Sequence, residues 1–171
     1  MTKTKTSTAV SKVFIRGSIE AVWREITKTD ELQGCFFNAR MHADDLRPGG
    51  KIQMRSADGK YTTVVGEILE FDPPHRFAHT FKFTQYDDPP CKVTYDLKEV
   101  EGGVEFTLTS EDIPVGTKTE KNMTRGADFI VKTLKAIIEN GRPPFGVRML
   151  YGMFKVLTPL TPKKCRTENW T

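Results

Sequence analysis

Three histidines and three cysteines give this 171-residue chain its widest choice of chemistry. A metal centre needs such residues at short recurring spacings, and His42, His75, Cys35, Cys91 and Cys165 show none. No phosphate loop, dinucleotide fingerprint or nucleophile elbow occurs, so neither a metal nor a cofactor is expected. An odd number of isolated thiols reads as free and reduced, which points to the cytoplasm. His79 stands apart, because Phe77, His79, Phe81 and Phe83 alternate with Arg76, Ala78, Thr80 and Lys82. An imidazole on such a stripe is either a group that orients a ligand or moves a proton, or a core histidine hydrogen-bonded to a neighbour. Tyr95 is the natural partner if the two strands pair. Glu67 lies in an otherwise apolar strand and faces either the interior or solvent. Facing inward, it would complete a weak acid–base pair with His79. Binding without catalysis is the simpler reading.

The elements that position these residues are well punctuated. Residues 1–8 are polar, lack the apolar run of a signal peptide, and read as a flexible arm. Residues 9–16 read as a strand. Ser18 caps a helix over 19–26 whose apolar side is Val22, Trp23 and Ile26. A second short helix is expected from Thr29 or Asp30. Asp45-Leu46-Arg47-Pro48-Gly49-Gly50 is a turn. Strands follow at 51–56, 62–71, 76–83, around 92–98 and around 104–109, with Asp58-Gly59, Asp72-Pro73-Pro74-His75 and Glu101-Gly102-Gly103 as breaks. Each alternating strand has one apolar face, as in an antiparallel sheet covered on one side. Thr117-Lys118-Thr119-Glu120 is a capping box. Met123, Ala127, Ile130, Leu134 and Ile137 then form the stripe of a long helix ending at Asn140-Gly141. That helix is the cover, and the class is α+β.

Residues 142–171 form a C-terminal extension. Val147, Leu150, Tyr151, Phe154 and Leu157 make one helical stripe, broadened by Met149, Met153 and Val156. The segment packs on its own domain, forms a protein-partner or homodimer interface, or lies on a membrane surface. The net charge of +4 comes from 26 basic and 22 acidic residues that are mostly scattered, so no nucleic-acid surface is expected. No stretch approaches the ~20 apolar residues of a membrane span.

Four stretches carry a family resemblance. They are Ile19-Glu20-Ala21-Val22-Trp23, the turn from Asp45 to Gly50, the run from Gly66 to Arg76, and Leu134 to Gly141. In order and spacing they resemble the START-like (SRPBCC) superfamily, and within it the domain similar to the activator of heat shock protein 90 ATPase. The resemblance spans roughly residues 11–141 and implies a helix-grip fold for residues 9–141. In that fold a curved antiparallel sheet wraps around a long C-terminal helix. It also implies an apolar cavity between the two, a chaperone-linked interaction module as one alternative, and a cyclase- or hydrolase-like enzyme as another. Two departures concern the cavity. The family often has Trp where this chain has Cys35-Phe36-Phe37, and again where it has Gly126-Ala127-Asp128-Phe129.

The expected occupant is a small apolar or aromatic molecule. Its expected lining is Phe77, His79, Phe81, Phe83, Tyr95 and Phe106 from the sheet, with Met123, Phe129, Ile130 and Leu134 from the helix. The same side chains also suit an ordinary filled core. Covering about 300 Å² of apolar ligand would contribute about 7 kcal/mol before association costs.

Overall fold

The computed structural model describes residues 3–171. Eight antiparallel strands form one sheet in the order β1-β8-β7-β6-β5-β4-β3-β2. Their ranges are β1 Thr6–Ile15, β2 Leu32–Gln33, β3 Ala39–Ala43, β4 Lys51–Arg55, β5 Thr62–Asp72, β6 Arg76–Phe83, β7 Cys91–Val100 and β8 Gly103–Pro114. The helices are α1 Ile19–Thr27, α2 Lys118–Asn140 and α3 Phe145–Leu157, with three short 3-10 turns after α3. Breaks in register between Ser7 and Ala9, Met54 and Arg55, and Ile68 and Glu70 add local twist, and the sheet curls. Helix α2 lies against β1, β8 and α1 inside that curl. This is the helix-grip α+β architecture.

Local chemistry explains the ends of the helices. The Ser18 hydroxyl accepts the Ala21 N–H at 3.1 Å, and Ile19, Val22 and Ile26 of α1 are buried. At α2 the Thr117 hydroxyl accepts the Glu120 N–H at 3.2 Å, and the Glu120 carboxylate accepts the Gly116 N–H at 2.7 Å. Gly141, at φ 78°, closes α2 by donating to the Ile137 carbonyl at 2.8 Å. The core joins Ile15, Ile26, Phe77, Leu97, Phe106 and Leu134 between the sheet and the two helices.

Two expectations need correction. Residues 1 and 2 of the expected arm lie outside the described residues, but the strand begins at Thr6, which pairs with Pro114. The second short helix does not form. Asp30, Phe37 and Asn38 adopt φ of 56°, 55° and 59°, which no right-handed helix accommodates. The Asp30 carboxylate meets His42 Nδ1 at 3.0 Å instead of capping a helix. A tight turn follows β2, with the Phe36 N–H on the Gln33 carbonyl at 3.0 Å, and it carries Phe36 and Phe37 over the sheet's inner face.

Candidate functional site: an aromatic cavity under the long helix

A cavity of about 240 Å³ lies between α2 and the inner face of the sheet. The pleat of β6 delivers Phe77, His79, Phe81 and Phe83 to it, and β7 adds Val93 and Tyr95. Helix α2 contributes Met123, Gly126, Ala127 and Ile130, one side of its stripe. Phe36 and Phe37 close the side next to β3.

Phe106, Phe129 and Leu134 were expected in the lining and do not reach the cavity. Phe106 is fully buried behind Tyr95, with ring centroids 6.1 Å apart. Leu134 is also fully buried, a turn beyond Ile130, where core side chains fill the space under α2. Phe129 points off the stripe. It stacks on Phe37 at 4.5 Å and meets Tyr151 of α3 edge-on at 6.4 Å. The sequence reading missed Leu108, Met54 and Met41 as lining. Leu108 and Met54 were visible as the next inward steps of alternating strands, whereas Met41 lies on β3, a short strand that was not among the expected elements.

His79 is buried and held at both ring nitrogens. The Thr80 carbonyl lies 2.7 Å from Nδ1 and can only accept, so Nδ1 carries the proton. Nε2 is then left to accept from the Tyr95 hydroxyl at a long 3.4 Å. Burial pushes the imidazole down to about 4, against a weaker opposing effect of the Thr80 carbonyl. Burial also pushes the Tyr95 phenol well above its ordinary value. Both groups are neutral near pH 7. Glu67 faces solvent, because its neighbour Ile68 pairs with His79 and points inward. The Glu67–His79 acid–base pair is therefore not assembled, and the site offers an uncharged aromatic chamber with one polar handle. Ser110, Thr63 and Asn122 add polar atoms at its edges. Among the described residues no group of acidic, histidine and cysteine side chains is arranged to hold a metal ion.

A second hollow of about 270 Å³ lies between α3 and the strand edges. Phe37, Ala39 and Thr63 line both spaces and form the wall that the two share.

The fold recurs in solved proteins. The CV1439 protein of Chromobacterium violaceum is 22% identical with a TM-score of 0.60, covering 77% of this chain and 96% of its own. CalU16 of Micromonospora echinospora is 19% identical with a TM-score of 0.61, covering 85% and 82%. The Aha1 dimer of Colwellia psychrerythraea is 15% identical with a TM-score of 0.64, covering 79% and 98%. No curated protein matches the chain. The model of the family described as "Activator of Hsp90 ATPase homolog 1-like protein" matches residues 16–139, which include β6, β7, β8 and all of the helical wall of the cavity. On that match, the chain belongs to the family of activator of Hsp90 ATPase homolog 1-like proteins.

Proposed function

We propose that the domain is a non-catalytic binding protein for a small apolar or aromatic molecule held in the cavity under α2. The observation that carries this reading is the unfilled volume of about 240 Å³ among Phe77, Phe81, Phe83 and Met123. Protein interiors ordinarily close such spaces. An apolar cavity of about 150 Å³ takes up benzene, so this one suits about ten heavy atoms. The Tyr95 hydroxyl, only loosely engaged with His79, would turn toward a polar atom of the ligand.

Native mass spectrometry of freshly purified protein tests for a retained molecule. Titration with 2-naphthol, a fluorescent two-ring alcohol of suitable size, tests the chamber itself. Saturable binding at roughly micromolar affinity is expected for a ligand of this size. Ala127→Leu, which adds bulk inside the cavity, should weaken that binding at least tenfold while leaving the melting temperature equal or higher. No retained mass, together with no saturable naphthol binding, rules the reading out.

The family match favours a second reading, a chaperone-linked module that stimulates an Hsp90-type ATPase. That activity would use the outer surface, so Ala127→Leu should leave it unchanged. No stimulation and no pull-down of such an ATPase ends this reading.

A further inference from the structure

Helix α3 carries two apolar stripes with different fates. Tyr151 is buried, its hydroxyl donating to the Gly34 carbonyl, and Val147 and Leu150 beside it are half-buried. On the other side, Phe145, Met149, Met153 and Val156 share an arc of about 80° at 3.6 residues per turn, and Leu160 extends it past the helix end. These five are 68%, 60%, 58%, 77% and 78% exposed. An unpartnered apolar run of this size marks a contact surface.

Charge narrows the choice of occupant. Residues 140–167 contain no Asp or Glu, yet include Arg142, Arg148, Lys155, Lys163, Lys164 and Arg166. All six are exposed. Arg166 pairs with Glu168 at 3.7 Å, and the other five make no ion pair among the described residues. Arg148 sits over the Phe145 ring at 5.5 Å, at the border of the exposed stripe. A second copy is a poor occupant, because near a two-fold axis these cations would face their own copies. A wholly apolar groove would leave the cations without counter-charges.

We propose that α3 and the segment after it dock the domain on an anionic lipid surface. The exposed stripe enters the acyl boundary, and the cations lie among the headgroup phosphates. The inference stands on the surface of the tail alone and holds whether or not the cavity takes a ligand. The tail lies beyond the residues 16–139 that match the family.

Vesicle flotation of the full chain tests it, using phosphatidylcholine alone and phosphatidylcholine mixed with phosphatidylserine, at low salt. The protein should float with the mixed vesicles and stay behind with the neutral ones. Val156→Glu and Met149→Glu, at exposed positions that leave the melting temperature unchanged, should each lower binding tenfold or more. Replacing both Lys163 and Lys164 by Ala should weaken it by roughly fivefold per charge removed. Absence of flotation, equal flotation with both vesicles, or full binding by Val156→Glu overturns the proposal. So does a dimer in sedimentation velocity that Val156→Glu dissolves while vesicles go unbound.

Discussion

Burial holds the His79 imidazole neutral with a pKa of about 4, against 6.5 when exposed. Between these values the unfolded chain takes up a proton at His79 and the folded chain does not. By linkage, stability rises with pH through this window and is lost on acidification, by about 3 kcal/mol in full. His79→Gln keeps a neutral hydrogen-bonding side chain and removes the titration. Urea unfolding at several pH values between 4 and 7 should show a flatter dependence for the variant. Equal slopes for the two proteins would mean that water reaches the imidazole in the native state. The partnership with Tyr95 was legible in the sequence, because both residues fall on inward positions of alternating strands. The direction of Glu67 was not. It depends on Ile68 pairing with His79, and such a register is set by turn geometry and bulges as much as by pattern.

At the scale of elements, α2 depends on its first turn. The Thr117 hydroxyl accepts from Glu120 and donates to the Pro114 carbonyl at 2.7 Å, so it joins the helix to the end of β8. Thr119 adds a 2.7 Å bond to Asp88 in the loop between β6 and β7, which fixes that loop to the cavity's helical wall. Thr117→Ala should cost about 1–2 kcal/mol in urea unfolding, and Thr117→Ser should restore most of it. An Ala variant as stable as the parent would show that the loop contacts alone hold the turn. The capping box, the stripe and the Gly141 stop were all readable, since each is a local signal with a fixed offset. Periods of two and of 3.6 likewise placed the long strands and α2 within a few residues. The turn at Phe36 and Phe37 was unreadable for the opposite reason. Thr29 and Asp30 resemble a helix cap, but the Asp30 carboxylate is taken by His42, twelve residues away. The two places where this chain lacks the family's Trp proved informative, because Phe36, Phe37, Gly126 and Ala127 all line the cavity.

Across the whole molecule the C-terminal extension is anchored at two points. One is Tyr151 on Gly34. The other joins the last residues to the β4–β5 hairpin, through the Thr167 N–H on the Lys60 carbonyl at 2.9 Å and Gln53 on the Trp170 carbonyl at 2.8 Å. Between the anchors much of the apolar surface is exposed, so little burial couples α3 to the main core. Regions of this kind open with a free energy well below that of global unfolding. Tyr151→Ala should therefore speed amide exchange in α3 at least tenfold while β7 and α2 keep their protection. The same variant bears on the cavity, because Phe37, Ala39 and Thr63 separate it from the hollow beneath α3. Phe37 is braced by Phe129, and Phe129 in turn by Tyr151. Removing the Tyr151 ring frees that chain of aromatics at its outer end. Stopped-flow fluorescence should then show 2-naphthol associating and dissociating several-fold faster, with a smaller change in Kd, as expected when a path opens and the chamber itself is unaltered. Unchanged rates alongside faster exchange in α3 would place the ligand's path elsewhere, with the end of α2 near Asn122 and Tyr86 as the next wall to test.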